Sequence, residues 1–500
     1  MNNPSPVEVL LTHSYHLYYD RKQAARRQPY PPLGTMYAAA LLREAGFSVA
    51  IFDTMIDDPD AGFARALAQH WPRVVVVCED SFNFLSKMCL TRMREVSFKM
   101  REQAAQYGIP VVVHGSDSSD NVRSYLDHGF NAVLLGEGEQ TLVELLHALL
   151  RDGQRDNWKI SGLAYLDRAS GQVIFTETRT HRPELDRLPF PARDMVAIDR
   201  YSAIWREHHG RSSTNLVASR GCPFHCNWCA KPIYGSKFLL RAADSVAQEM
   251  QVLKREYSVE HLWFADDIFA LNRRWMRDFA DAVERRDAAI PFKIQSRADL
   301  MTTDTVAALK RAGCEEVWMG AESGSQAILD AMDKGLTVES IHRARARLGA
   351  AGIRAAFFLQ FGYPGEKLME IEETIALVRS SRPDDIGVSV SYPLPGTIFH
   401  QRVHDQLGAK RNWIDSQDLS VMFRAAYTDE FYRSLRNALH YEVELYHRSS
   451  TREEQRTLTS LWDDVYRLER VCRNTHPTQL PVLQPATVHT LAACGSDSCG

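Results

Sequence analysis

Val74 to Val77 are four valines in succession. A strand apolar at every position, not at alternate ones, is buried on both faces, which is the situation of a parallel strand covered by helices on either side. The surrounding sequence supplies such a sheet. Over residues 1–150, Val7 to Leu11, Ser48 to Phe52, Val74 to Val77, Val111 to His114 and Ala132 to Leu135 read as strands. Helical patterns lie between them, one running from Tyr37 to Glu44 and stopping at Gly46. The alternation predicts an α/β fold whose first domain is a doubly wound, Rossmann-like parallel sheet. Its crossovers are right-handed, and ligands of such sheets sit beyond the carboxyl ends of the strands.

Residues 151–205 read as a linker with a small β element. Ser161 to Leu166 and Gln172 to Thr176 form a candidate hairpin around Ala169-Ser170-Gly171, and Pro189 and Pro191 exclude a helix interior after it. Strand–helix alternation returns over residues 206–404. The candidate strands are Asn215 to Ala218, His261 to Ala265, Phe292 to Gln295, Glu316 to Gly320, Arg354 to Gln360 and Ile386 to Ser391. Asp244 or Ser245 is the candidate cap of one intervening helix, and Thr303 of another that stops at Gly313. Six such units predict a partial (β/α)6, TIM-like barrel with its chemistry at the carboxyl ends of the strands. Residues 405–474 read as a polar helical region, with Tyr441, Val443, Leu445 and Tyr446 as packing residues. Residues 475–500, with Cys494 and Cys499, read as a flexible tail.

Composition narrows the function classes. The chain has 500 residues, enough for two or three domains. Its formal net charge of −4 argues against a nucleic-acid binder. No apolar run reaches the roughly 18 residues of a membrane span, and Met1-Asn2-Asn3-Pro4 lacks the basic start of a secretory signal. A cytoplasmic location follows as the expectation. Nine cysteines, an odd number spread over a long chain, point to reduced thiols and not to a disulfide framework. Cys78, Cys89, Cys314 and Cys472 read as small buried residues.

Three cysteines stand apart. Arg220-Gly221-Cys222-Pro223-Phe224-His225-Cys226-Asn227-Trp228-Cys229 has the spacing CxxxCxxC and follows directly on an apolar strand. Three thiolates can bind three irons of a cubane and leave the fourth open to an outside ligand, whereas an electron-transfer cluster normally takes four cysteines. Zinc competes: a structural site needs four ligands, and His225 is a nominal fourth in a very tight loop.

With Trp228 just before the last cysteine, this segment resembles the signature of the radical S-adenosylmethionine (SAM) superfamily. The resemblance implies a 4Fe-4S cluster on Cys222, Cys226 and Cys229 whose open iron is chelated by the amino and carboxylate groups of SAM. Reductive cleavage to a 5′-deoxyadenosyl radical follows. The protein positions and shields what the cofactor does. The resemblance further implies SAM contacts at the strand ends. Asp266 and Asp267 follow the second strand and would meet the amine. Ser296 and Arg297 follow the third and would meet the ribose or carboxylate, and Glu322 and Ser323 follow the fourth, Glu322 accepting from the ribose hydroxyls. Gly362, Pro364 and Leu394 follow the fifth and sixth, as a backbone cradle for adenine. Taken singly, each has an ordinary reading as turn or cap chemistry.

Residues 1 to about 400 are similar to the subfamily in which a cobalamin-binding domain precedes the radical domain. That subfamily includes class B radical SAM methyltransferases and the anaerobic magnesium-protoporphyrin monomethyl ester cyclases. The resemblance implies cobalamin contacts at Leu33, Gly34, Gly115, Ser116, Gly136, Glu137, Gly138 and Glu139. The sequence departs from the methionine-synthase type in lacking DxHxxG, so no histidine of that motif would lie under the cobalt. The long segment Thr12 to Tyr30, with Tyr15, Tyr18, Tyr19, Arg21, Lys22, Arg26 and Arg27, reads either as a cover for corrin or substrate or as a solvated loop.

The resulting expectation is a cobalamin-dependent radical methyltransferase that methylates an unactivated carbon of a small-molecule or natural-product substrate. An electron donor such as flavodoxin or ferredoxin would serve it. The alternatives are a radical cyclase or oxidoreductase using the same cofactors, and a non-catalytic iron–sulfur or zinc sensor or assembly protein. Arg220, Tyr234, Lys237, Trp318 and Tyr392 lie near the expected mouth, where each also reads as an ordinary packing or surface residue. The substrate itself is not legible.

Overall fold

The computed structural model describes residues 6–58, 61–154, 156, 158–180 and 184–479; Cys494 and Cys499 lie outside them. The N-terminal sheet consists of β1 (Val9–Thr12), β2 (Val49–Phe52), β3 (Val74–Cys78), β4 (Val111–His114), β5 (Ala132–Leu134), β6 (Leu163–Leu166) and β7 (Val173–Phe175). Its order is β2-β1-β3-β4-β5-β6-β7. The first five strands are parallel, and the valine run at the centre is fully buried.

Alternate residues go to opposite faces. Val9, Leu11, Val74 and Val76 pack with α2 (Leu33–Glu44) and α8 (Glu139–Leu150), whereas Leu10, Val75 and Val77 pack with α3 (Gly62–His70), α5 (Thr91–Ala105) and α7 (Val122–Asp127). Short helices α1 (Arg21–Arg26), α4 (Phe84–Lys87) and α6 (Ser116–Asp120) lie in the loops at the strand ends. The hairpin assigned to the 151–205 linker instead extends this sheet, with Val133 opposite Ala164 in antiparallel register. It covers the edge that β5 would otherwise expose.

The second sheet is six parallel strands in chain order: β8 (Ser213–Leu216), β11 (His261–Phe264), β12 (Phe292–Ser296), β13 (Cys314–Glu322), β14 (Arg354–Phe361) and β15 (Asp385–Val390). A separate antiparallel pair, β9 (Ser219–Arg220) and β10 (Leu239–Leu240), closes the base of the cysteine loop. Helices α9 (Ile198–His209), α10 (Ala243–Glu256), α11 (Arg273–Arg285), α12 (Thr303–Ala312), α13 (Gln326–Ala331), α14 (Val338–Ala350) and α15 (Leu368–Ser381) complete the units. Leu262, Phe264, Phe292, Ile294, Val317, Met319, Phe357, Ile386 and Val388 face this helical layer in one continuous core. The intervening residues face a lumen open between β8 and β15.

Two caps differ from the sequence reading. The cap of α12 is Thr302, whose hydroxyl accepts from Thr305 N–H at 3.3 Å. The helix α10 has no side-chain cap. Asp244 is taken by Arg285 and Arg286 at 3.0 and 2.8 Å, Ser245 Oγ accepts from Arg241 at 3.2 Å, and Ala242 N–H donates to Asp186 at 2.9 Å.

The chain then continues through α16 (Ile398–Val403), α17 (Asp429–Glu444), which packs along β15, and α18 (Arg452–Val471), which packs on α17. Val443 and Leu445 are buried, while Tyr441 and Tyr446 are half-buried. The start of the expected tail is tied down: Thr478 N–H donates to Arg424 O at 2.8 Å, and Thr478 O accepts from Gly365 N–H at 2.9 Å. Among the described residues no helix is long and apolar enough to cross a membrane.

Candidate active site at the domain junction

The cysteine loop is fixed from both ends. At its start, Asp266, just past β11, accepts from Ala218 N–H at 3.1 Å and from the Ser219 hydroxyl. Gly221 then turns with φ +77°; a Cβ there would stand 2.2 Å from Lys237 O, so the turn admits no side chain. Cys222 N–H donates to Gly235 O at 3.3 Å, and Lys231 Nζ reaches back to Cys222 O at 2.9 Å and to Phe224 O. Between the second and third cysteines, Asn227 staples the loop to the barrel. Its side chain donates to Ala331 O at 2.8 Å and accepts from the Tyr363 hydroxyl at 2.9 Å, and its backbone bonds Met332 and Phe399.

Cys222, Cys226 and Cys229 are half-buried, and His225 is exposed. Among the described residues no three His, Cys, Asp or Glu side chains stand as ligands of a single ion would. His225, the nominal fourth ligand of the zinc reading, is turned to solvent. Burial, followed by the neighbouring Asp267 and thiol groups, pushes the Cys229 thiol up to about 12, and burial raises Cys222. A thiolate is costly here until a positive metal centre meets it. Three half-buried sulfurs on a tightly held loop suit the iron corners of a cluster.

The other expected SAM residues are brought to the same rim, but several act on the protein. Ser296 Oγ donates to Phe269 O at 2.8 Å. Burial raises Asp266 to about 7, and its oxygens are committed to the loop as above. Asp267 pairs with Lys87 of α4, which comes from the N-terminal domain. Arg297 stacks on Phe224 at 3.8 Å, lies 3.9 Å from Cys226 Sγ and pairs with Asp299 at 3.0 Å. Glu322, at φ +60°, forms a buried pair with Lys334 at 2.8 Å. Ser323 Oγ is 3.0 Å from Thr374 Oγ1. Gly362 N–H donates to Glu366 at 2.5 Å, Pro364 is buried, and Leu394 N–H bonds Tyr392 O at 3.0 Å.

The carboxyl edge of the N-terminal sheet faces this rim. Asp80, past β3, accepts from Leu33 N–H at 3.2 Å and Gly34 N–H at 3.0 Å, and so caps α2. Glu79 accepts from Ser14 N–H at 3.1 Å. Between α2 and α8 lies a narrow cleft lined by Gly34, Cys78, Ser81, His114, Gly138 and Glu139 among others. Gly138 is needed there: a Cβ would stand 2.6 Å from the His114 ring, which itself bonds Gly136 O at 2.9 Å.

Ser81 Oγ, in the cleft wall, and Ser116 Oγ, just past Gly115, are buried with no hydrogen-bond partner among the described residues. Unpaired hydroxyls at this strand edge are the donors that the amide arms of a cofactor seated on it would take. Glu137 and Glu139, expected to touch that cofactor, take a different partner. Both pair with Arg220, at 3.1 and 2.6 Å, across the domain junction. Arg220 is 2% exposed and lies over the rings of Tyr37, Phe82 and Tyr234.

Sequence reasoning missed Asn227, Lys231, Tyr363 and Lys334 as supports of the loop and rim, and Lys87 as a bridge. Asn227, inside the cysteine motif, and Lys231, two residues past it, carried a local signal.

A model of the Radical SAM superfamily matches residues 216–378, and a model of the B12 binding domain matches residues 24–146. An uncharacterised methyltransferase of Pyrococcus horikoshii is 26% identical over 421 residues, covering 81% of this chain and 88% of its own. The anaerobic magnesium-protoporphyrin IX monomethyl ester cyclase of Rubrivivax gelatinosus is 24% identical over 384 residues, covering 76% and 67%. The structure of the radical SAM methyltransferase TsrM from Kitasatospora setae, with cobalamin and a [4Fe-4S] cluster bound, matches with a TM-score of 0.65 at 18% identity. The match covers 80% of this chain and 78% of that one, and is a likeness of fold. Residues 216–378 thus form a radical SAM domain and residues 24–146 a B12-binding domain, whose cofactors are a 4Fe-4S cluster with SAM, and cobalamin.

Proposed function

We propose that the enzyme is a cobalamin-dependent radical methyltransferase acting on an unactivated carbon of a small-molecule substrate. The observation that carries this reading is the junction itself. The residue preceding the cysteine loop, Arg220, is gripped by Glu137 and Glu139 from the strand end of the B12-binding domain, which supports a reading in which the two cofactors work side by side. When bound, the cluster supplies the electron that splits SAM to a 5′-deoxyadenosyl radical, and cobalamin supplies the methyl group.

Cys222, Cys226 and Cys229 hold the cluster and leave one corner for SAM. Arg297, beside Cys226 Sγ, offers a guanidinium to the SAM carboxylate or to cluster sulfur. Asp267 and Glu322, each shared with a lysine (Lys87 and Lys334), offer their remaining carboxylate oxygen to the methionine amine and the ribose. Gly362, Pro364 and Leu394 lend backbone to adenine. Asp266, Ser296 and Ser323 act at one remove by fixing the loops that carry these groups. On the facing edge, Leu33, Gly34, Gly115, Ser116, Gly136 and Gly138 shape the corrin site, with the Ser116 hydroxyl free to bond it. Glu137 and Glu139 hold the two halves at their working distance. A flavodoxin or ferredoxin supplies electrons, and the enzyme works in the cytoplasm.

The test needs no substrate. Anaerobically reconstituted enzyme with cobalamin, SAM and a low-potential reductant should form S-adenosylhomocysteine as well as 5′-deoxyadenosine. 5′-Deoxyadenosine alone, with no methyl transferred to cobalamin, would contradict methyl transfer and favour the cyclase-like chemistry of the Rubrivivax relative.

A further inference from the structure

The lumen of the barrel is amphipathic. Its wall carries half-buried Lys293, Glu316, Trp318, Phe358 and Asp385, with the Trp318 and Phe358 ring centroids 4.9 Å apart. Its open seam, between β8 and β15, is crossed by α1 and the chain after it. On the β8 side, Trp205 Nε1 donates to Pro29 O at 2.6 Å and Asn215 Nδ2 to Pro31 O at 2.9 Å. On the β15 side, α1 faces α17.

These two helices oppose positive charge to positive charge. Lys22 and Arg26 stand one turn apart on α1, and Arg436 opposes them from α17, with the neutral imidazole of His440 one turn on. Lys22, Arg436 and His440 are half-buried. Among the described residues, the side chains of Lys22, Arg26 and Arg436 make no hydrogen bond or ion pair, and Arg436 Nε is buried and unpartnered.

Two acids are near. Asp20 is committed to Ser416, at 3.0 Å from its N–H and 2.8 Å from its hydroxyl. Asp385, at the first position of β15, bonds its own neighbour Ile386 N–H at 2.7 Å. Burial, then Arg26 and Arg436, lower the Lys22 ammonium to about 8 against the smaller opposing pull of Asp20 and Asp385, and burial holds His440 neutral at about 3. Like charges one helical turn apart, and cations withdrawn from water unpaired, are both unfavourable. Such an arrangement persists where a ligand of opposite charge compensates it.

We propose that Lys22 and Arg436 recognise an anionic oxygen group, phosphoryl or carboxylate, on the substrate, seating it at the seam of the lumen with its apolar portion against Trp318 and Phe358. The inference rests on the methyl-transfer reading only in taking this lumen as the substrate chamber. A bidentate guanidinium and a compact ammonium on opposite helices are a common way to grip such a group.

Calorimetry on anaerobically reconstituted full-length enzyme at low salt tests it, with inorganic phosphate and glutarate as probes. One or both should bind saturably. Lys22→Gln and Arg436→Gln should each weaken binding tenfold or more, and Arg343→Gln on exposed α14 should leave it unchanged. Tighter phosphate assigns a phosphoryl group, and tighter glutarate a carboxylate. Both variants should melt at or above the wild-type temperature without probe, because repulsion is relieved, and should lose the upward shift that the probe gives the wild type. No saturable binding of either probe, or binding that survives both substitutions, overturns the proposal. Substrate-free SAM cleavage by the same wild-type preparation reports the radical chemistry separately. Its absence would count against the methyl-transfer reading and leave the calorimetric outcome standing.

Discussion

Glu366 illustrates what a single buried group does to this fold. Its carboxylate takes the Gly362 N–H at 2.5 Å, which holds the turn past β14, while its other oxygen has no partner among the described residues. Burial raises its pKa from 4.5 to about 8. The folded state therefore prefers the protonated acid, so this group's contribution is complete below pH 4.5 and is lost as pH rises through about 8. Glu366→Gln keeps an acceptor for Gly362 and removes the ionisation. It should match the wild type near pH 4.5 and exceed it by roughly 2–4 kcal/mol at pH 8.5. Denaturant unfolding of the apo-protein at the two pH values checks this; a constant difference between them would refute the assignment. The buried Glu249, gripped by Arg241 and Arg193 at 2.6 and 3.1 Å, shows the opposite balance: two guanidinium groups outweigh burial and hold it low.

At the scale of elements, the cysteine loop depends on its hinge more than on its length. Gly221 sits at φ +77° with no room for a Cβ. Gly221→Ala should leave the barrel folded, at a cost of about 1–3 kcal/mol, yet bring the iron content after reconstitution close to none. Iron equal to the wild type would show that the loop re-forms another way.

The same loop shows why part of the site was legible. Its chemistry is local: three sulfurs in eight residues after an apolar strand, readable from spacing. The valine run was legible for a similar reason, since burial on both faces leaves no polar position in the strand. What was not legible depends on partners distant in sequence. Asp266 looked like a ligand for an amine, and the structure commits it to backbone 48 residues away. Glu137 and Glu139 looked like cofactor contacts, and their partner Arg220 lies more than 80 residues on. No periodicity encodes such a pair. The caps failed for a subtler reason: Thr302 and Thr303 are chemically alike, and which one caps depends on where the preceding turn releases the chain.

Across the whole molecule, the two α/β domains are held in one arrangement by polar links at the cofactor rim: Arg220 to Glu137 and Glu139, and Lys87 to Asp267. Farther out, Arg43 pairs with Asp194 at 2.6 Å, and Asp20 bonds Ser416 of the C-terminal region. The apolar cluster of Tyr30, Leu33, Met36, Phe82, Trp205 and Trp263 joins α2 to the barrel wall. A buried charged pair whose loss strands one partner typically costs about 3–5 kcal/mol, so this junction favours a fixed geometry between cofactors.

That geometry matters only if three thiols hold a cluster with one open corner. The most direct measurement is electron paramagnetic resonance of the anaerobically reconstituted, reduced enzyme, before and after SAM is added, for the wild type and for Cys222→Ala, Cys226→Ala and Cys229→Ala. The wild type should show a reduced 4Fe-4S signal that changes on adding SAM, with 5′-deoxyadenosine formed; each variant should lose both. A wild-type signal indifferent to SAM, or a variant that still cleaves it, would contradict the assignment.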